Sequence, residues 1–295
     1  MAEANSPLRY PGGKAVLTDF IAATIEANGI RECVYAEPYA GGAGAAINLL
    51  LAGKVERIIL NDADRNIWAF WKSILDHTDE FLALVDGAQL TVNEWVLQRD
   101  AYETPKGRST LERGFAAFFL NRCNRSGILT NGGVIGGLNQ DGKWKIDARF
   151  NREGLKRRIE RIAAYRDQIE VANMDAIQFL RTHVLSETDR SRFFVYLDPP
   201  YFVKGSQLYL NYYQPSDHAD LAQFLRRIER VKWLVTYDNA PEIRQIYDWC
   251  NIVDFNLRYS ASHGSKQGSE IVICEDALAL PADALPKLVT PKEAC

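Results

Sequence analysis

Phe193-Phe194-Val195-Tyr196-Leu197-Asp198-Pro199-Pro200-Tyr201 is an apolar run of strand character that ends in an acid, two prolines and an aromatic residue. Neither proline has a backbone N–H to give to a ladder, so the strand must stop at Asp198. In an open parallel sheet the crevice outside the carboxyl ends of the strands is where ligands bind. Asp198 and the Pro199 carbonyl can accept from an exocyclic amine there, Pro200 keeps the turn rigid, and the face of Tyr201 can stack on a planar ring. Taken alone, the tetrapeptide also suits a turn without chemistry, and the rest of the chain has to decide.

Upstream, Val34-Tyr35-Ala36-Glu37 reads as a strand, Pro38-Tyr39-Ala40-Gly41-Gly42-Ala43-Gly44 as a glycine-rich turn, and residues 45–52 as a small-residue helix. Strand, turn and helix make the first unit of a Rossmann-like sheet, because glycine lets the backbone approach a ligand where a Cβ would intrude. Arg57-Ile58-Ile59-Leu60-Asn61-Asp62 is a second strand, and an acid at its end is where such folds take ribose hydroxyls. Asp62 would equally cap the aromatic helix that follows. Downstream, 169–175 resumes the sheet with Asp175 at its end, and 233–237 adds a strand. Residues 252–257 and 270–274 form an antiparallel pair around a polar loop, 260–269. A helix over 217–230, capped by Ser216 or Asp217, and another reaching Trp249 fill the gaps.

Between 78 and 170 the doubly wound pattern breaks off. Helical segments near 92–102, 111–121 and 152–165 enclose a glycine- and asparagine-rich loop, 126–142, too long for a plain crossover. The spacing therefore predicts an inserted, mainly helical domain over 78–170, with 1–77 and 171–295 forming the sheet domain. Residues 106–166 hold 14 Lys and Arg against 5 Asp and Glu, an excess of +9 in a chain whose net charge is −3. The remainder is thus −12, and such asymmetry reads as a nucleic-acid footprint.

At 295 residues, 47% hydrophobic and 25% charged, the chain has the composition of a globular protein with one sizeable core. No stretch approaches the roughly 18 consecutive apolar residues of a membrane span, and the N-terminus does not read as a signal peptide, so cytoplasmic residence is expected. Five cysteines without a C-x-x-C pair and four scattered histidines indicate neither a disulfide framework nor a metal site. Leu8-Arg9-Tyr10-Pro11-Gly12-Gly13-Lys14 precedes a helical pattern over 15–27. Leu8 and Ala15 stand where a phosphate loop needs Gly and Ser or Thr, which excludes that loop.

Asp198-Pro199-Pro200-Tyr201 after a strand resembles the catalytic motif of amino-directed, S-adenosylmethionine-dependent nucleic-acid methyltransferases, most particularly the Dam-like (D12 class) adenine-N6 DNA methyltransferases. Tyr10-Pro-Gly-Gly-Lys14 is similar to that family's N-terminal aromatic-x-Gly-Gly-Lys motif, with Tyr where Trp is common. Glu37-Pro38-Tyr39-x-Gly41 is similar to its cofactor loop, although Ala43 replaces a frequent glycine, and Asn61-Asp62-x-Asp64-x-Asn66 to its second-strand motif. Phe118-x-x-Asn121-Arg122 resembles a stretch of its target-recognition domain. The motifs occur in the family's order across nearly the whole chain.

The resemblance implies an α/β fold, a Rossmann-like class I methyltransferase sheet with the insertion for target recognition. It implies S-adenosylmethionine as cofactor, held by Tyr10, Lys14, Glu37, Tyr39, Gly41, Asp62, Asp175 and Asp198. It implies catalysis by Asp198, Pro199, Pro200 and Tyr201 on the N6 amine of an adenine flipped out of double-stranded DNA. DNA contact falls to Asn121, Arg122 and Arg125, no metal or membrane is involved, and a monomer with a cognate restriction endonuclease as further partner is expected. An RNA or cytosine-N4 methyltransferase would keep the same pocket. A glutamine-directed protein methyltransferase would usually begin the tetrapeptide with Asn, and a DNA-binding pseudo-enzyme would keep the motifs without the reaction.

Overall fold

The computed structural model describes residues 5–9, 13–202, 213–261 and 264–285, and of 256–261, 264–268 and 282 the backbone alone. Five strands run parallel: β1 (Val34–Glu37), β2 (Arg57–Asn61), β3 (Ile169–Ala172), β4 (Phe193–Leu197) and β5 (Lys232–Asp238). An antiparallel hairpin, β6 (Asn251–Ala261) and β7 (Gly264–Cys274), joins the edge through β7, giving the order β3-β2-β1-β4-β5-β7-β6. β1 lies between β2 and β4, so the winding reverses there and a crevice opens at the carboxyl ends of β1 and β4. Glu37 and Asp198 stand at those two ends.

Every residue of β1 and β4 is buried, as expected of parallel strands covered on both faces. Alternation sends Tyr35, Phe194 and Tyr196 to one face and Val34, Ala36, Phe193, Val195 and Leu197 to the other. The first face packs on α1 (Thr18–Ala27), α2 (Gly44–Leu51) and α3 (Arg65–Asp76). The second packs on α8 (Ala176–Phe179), α9 (Pro215–Leu225) and α10 (Pro241–Ile246). Between α3 and β3 come α4 (Thr78–Gly87), α5 (Val92–Glu103), α6 (Thr110–Cys123) and α7 (Arg152–Ala163), so the three helices expected of the insertion are present within two residues of their expected bounds. Ser109 and Glu112 close a capping box on α6, and Thr91 and Asn151 cap α5 and α7.

These helices share one apolar cluster with α3 and the first sheet face. Phe70 of α3 stacks on Phe118 of α6 at 5.9 Å, and Phe81, Phe115 and Phe150 surround Phe118 edge-on or tilted. Gly114 makes the α3–α6 approach close: a Cβ there would stand 2.6 Å from the Ala69 carbonyl oxygen and 2.7 Å from Ser73 Oγ.

Three expectations are corrected. Pro215 occupies the first helical position of α9 with its φ preset, so the helix begins there rather than at 217, and Gln214 rather than Ser216 or Asp217 is the N-cap, its N–H donating to Asp217 Oδ2 at 2.7 Å. α9 ends at Leu225 and α10 at Ile246, both shorter than their apolar pattern suggested. The stretch 260–269, read as a loop, is mostly ladder: pairing continues from Asn256↔Ser269 to Ala261↔Gly264, since backbone groups pair whatever small side chains they carry.

Candidate active site

The site assembles around the Lys14 ammonium, which a 3-10 turn (Lys14–Leu17) delivers into the crevice although Lys14 is only 6% exposed. Lys14 Nζ lies 3.1 Å from Asp198 Oδ1 and 3.6 Å from Glu270 Oε2, and donates to the Tyr201 hydroxyl at 2.7 Å. The Tyr201 hydroxyl in turn donates to Glu270 Oε1. Thr236 Oγ1 on β5 donates to Asp198 Oδ1 at 2.8 Å and is itself paired with the Tyr196 hydroxyl at 2.8 Å. Asp198, a quarter exposed, is therefore aimed by β5 on one side and by the N-terminal segment on the other.

Among the described residues, acids outnumber cations here. Burial pushes the Glu37 carboxyl up to about 8 and the Asp198 charge adds to the effect, while the Tyr35 hydroxyl, donating at 2.8 Å, opposes it. Burial likewise raises Glu270 to about 7 against the pull of the Lys14 ammonium, with Asp198 again adding. Asp62 is raised to about 7 by desolvation and by the neighbouring Asp64.

The glycine turn after β1 is pinned from several elements. Asp62 Oδ2 accepts from the Gly41 N–H and Oδ1 from the Asp64 N–H, both at 2.8 Å, and the Trp71 indole of α3 donates to the Gly41 carbonyl at 2.9 Å. Gly41 and Ala43 both take positive φ, 46° and 44°, the left-handed turn that lets α2 start immediately. A Cβ on Gly44 would stand 3.1 Å from that of Ala15, so the turn packs against the Lys14 segment. The cap of α3 is Asp64, accepting from Asn66 at 2.7 Å, which leaves Asp62 to brace the turn. The Tyr39 hydroxyl meets that of Tyr213, and Asp175 caps α8 through Ile177 and Gln178.

Lys14, Glu37, Tyr39, Gly41, Asp62, Asp175, Asp198, Pro199, Pro200 and Tyr201 thus lie at or just after the carboxyl ends of β1–β4 or on the segment that reaches them. Tyr10 lies outside the described residues, as does the stretch 203–212 that follows the Asp-Pro-Pro-Tyr motif.

Two expected DNA contacts are corrected. Asn121 is fully buried: its carbonyl accepts from the Arg9 N–H at 2.6 Å and its amide donates to the carbonyls of Arg9 (2.7 Å) and Gly127 (3.0 Å). Arg122 is 8% exposed and donates to the Arg149 carbonyl at 2.8 Å and the Pro7 carbonyl at 3.5 Å. Both bind the N-terminal segment to α6. Arg125, by contrast, is exposed.

Thr236, Glu270 and Asn61 escape a reading of the sequence as site residues. Asn61 joins three strand ends, donating to the carbonyls of Pro38 (2.9 Å) and Met174 (3.0 Å) and accepting from the Met174 N–H (3.0 Å). The available signal was a polar residue within or at the end of an apolar strand, which burial makes costly unless it is partnered. Among the described residues no group of three His, Cys, Asp or Glu side chains could hold a metal ion, and no helix is long and apolar enough to cross a membrane.

The doubly wound sheet thus carries Asp-Pro-Pro-Tyr at the carboxyl end of β4 and a glycine turn after β1, the arrangement that the resemblance of the sequence implies. The model of the D12 class N6 adenine-specific DNA methyltransferases matches residues 10–261, and the chain belongs to that family. Its reaction moves a methyl group from a methyl donor to adenine N6 in DNA. Two solved structures of the rRNA methyltransferase aviRa from Streptomyces viridochromogenes are similar at 11% and 12% identity, each covering 86% of this chain and 83% of that one with a TM-score of 0.32. No curated protein matches the chain.

Proposed function

We propose that the chain is a site-specific methyltransferase that uses S-adenosylmethionine, with a flipped-out adenine received at Asp198. The observation that carries this reading is the partly exposed Asp198 carboxylate, held at the switch-point crevice by Thr236 and Lys14 beside Glu37. The donor set fits the cofactor: the Glu37, Asp62 and Asp198 carboxylates stand at the carboxyl ends of β1, β2 and β4, a set of acids suited to a ligand bearing a sulfonium, an ammonium and ribose hydroxyls. When bound, S-adenosylmethionine supplies an electrophilic methyl on positively charged sulfur. Tyr10, Lys14, Glu37, Tyr39, Gly41, Asp62 and Asp175 are assigned to holding it, with Asp62 on the ribose.

An exocyclic aromatic amine is a poor nucleophile because its lone pair is delocalised into the ring. Asp198 and the Pro199 carbonyl accept from N6–H and so favour the sp3 character that the amine must develop, Pro200 keeps the turn rigid, and Tyr201 stacks on the base. Unpairing is required because the amine otherwise sits in the base pair. Residues 78–170 are assigned to DNA recognition and 1–77 with 171–295 to catalysis, with Arg125 on the basic DNA-facing surface. A cytoplasmic monomer paired with a cognate endonuclease completes the reading.

Incubation with labelled methyl donor and unmethylated DNA, followed by nucleoside analysis, tests it: N6-methyladenine is the expected product. N4-methylcytosine would favour the alternative pocket use, and label in neither would leave a DNA-binding pseudo-enzyme.

Asp62→Ala should raise the dissociation constant for S-adenosylmethionine at least tenfold. Hydrogen bonds to a charged group contribute about 1.5–3 kcal/mol each, and 1.4 kcal/mol is already a factor of about ten. Calorimetry reads this directly. An unchanged constant would leave Asp62 as a brace for the Gly41 turn alone.

A further inference from the structure

We propose that Glu270 is a positioning residue for methyl transfer, competing with Asp198 for the Lys14 ammonium and so setting whether the Asp198 carboxylate is open to the adenine amine. The proposal rests on the reading of Asp198 as the acceptor of N6–H. Glu270 is far in sequence from every motif of the site, on β7 opposite Asp238 of β5 and Phe255 of β6, and only 1% exposed. One of its oxygens holds the Tyr201 hydroxyl. The other, Oε2, is buried without a hydrogen-bond partner among the described residues, and the Lys14 ammonium stands 3.6 Å away. That ammonium is nearer to Asp198, at 3.1 Å.

One buried ammonium cannot neutralise two carboxylates, and an unpaired buried charge is costly, so the pair favours a state in which one carboxylate keeps a proton. Among the described residues, the charged or titratable groups facing Glu270 from the packed elements are Lys14, Asp198, Tyr201 and Tyr196, with Asp238 its ladder partner on β5. Lys14 is the one cation among them. With a proton on Glu270, Lys14 is left to Asp198, where together with the Thr236 hydroxyl it fills Oδ1, an acceptor of the amine. When Glu270 ionises, it draws the ammonium toward itself, and Asp198 Oδ1, then held by the Thr236 hydroxyl alone, has a lone pair open to N6–H. Burial places that ionisation near neutrality, at about 7. The sign follows: the active arrangement is the one with Glu270 ionised, so the rate rises with pH through the Glu270 pKa and falls about tenfold for each unit below it.

The test is single-turnover methyl transfer at saturating S-adenosylmethionine and DNA, from about pH 6 to 9. Wild type should show one limb near neutrality and a plateau above it. Glu270→Gln keeps the shape and an acceptor for Tyr201 but cannot take the charge, so its rate should be flat and about tenfold or more below the wild-type plateau. DNA affinity should be unchanged. Glu270→Asp, which still ionises, should restore the limb.

A loss by the same factor at every pH, together with a lower Tm, would make Glu270 merely structural and overturn the proposal. A wild-type profile without the limb would do so even if Glu270→Gln failed to fold. Asp198→Ala separates the two layers. If it keeps the rate, the reading of Asp198 fails and the proposal with it. If it is silent while Glu270→Gln follows the wild-type profile, only the role of Glu270 falls.

Discussion

Asp198→Ala should lower the single-turnover rate of methyl transfer by about 10²–10³-fold, the scale on which a preorganised polar contact to the reacting group acts. The substitution removes the carboxylate that the amine must meet and leaves the Pro199 carbonyl as sole acceptor on that turn. It should leave the protein folded. Thr236 Oγ1 keeps the Tyr196 hydroxyl, and Lys14 keeps Glu270 and Tyr201. Since Asp198 is a quarter exposed, water can also reach the vacated space. Asp198→Asn should fall between the two, because its amide oxygen still accepts while the charge is gone. Retention of more than about a tenth of the rate, less than 1.4 kcal/mol of transition-state stabilisation, would remove Asp198 from catalysis. Melting curves for both variants establish that the lost rate is not lost fold.

The parts of the fold legible in the sequence are those set by local signals. β1, β2 and β4 are short apolar runs stopped by Glu37-Pro38, Asn61-Asp62 and Asp198-Pro199, and such a stop is read within a few residues. The crevice acids follow directly, because they are the stops themselves. α5, α6 and α7 follow from caps and periodicity in the same way.

What was not legible depends on which segments meet. Glu270 reaches Lys14 only because β7 inserts antiparallel between β5 and β6, an order that no local pattern of the hairpin encodes. Thr236 looks like any β-branched strand residue until β4 lies beside it. Asp62 and Asp64 are equally good cap residues in sequence, and the Gly41 N–H, 21 positions away, decides between them. At Asn121 and Arg122 a polar, basic helix end suits a phosphate backbone and a clamp on another segment alike. Their actual partners lie 112 and 115 residues upstream, or 27 downstream.

Arg122→Ala is accordingly expected to cost stability and to leave DNA affinity per folded molecule unchanged. Burial pushes the guanidinium down to about 9, and the neighbouring Arg9, Arg158 and Arg149 add to the shift, so the charge itself does not favour the fold at neutral pH. What holds it is hydrogen bonding to the Arg149 and Pro7 carbonyls. Truncation strands those acceptors and opens a void at the end of α6, while relieving repulsion among the arginines. Charge-assisted bonds contribute about 1.5–3 kcal/mol each, so after that relief a net loss on the order of 2–3 kcal/mol is expected, about 3–5 °C in Tm for a chain of this size. Because the same bonds fasten the segment leading to Lys14, a slower methyl transfer should accompany the lower Tm. Arg125→Ala supplies the contrast: exposed and in the basic stretch, it should leave Tm unchanged and reduce the salt slope of DNA binding by about one. Isotherms at two salt concentrations, corrected for folded fraction, compare the two. A reduced salt slope for Arg122→Ala at unchanged Tm would return Arg122 to the DNA.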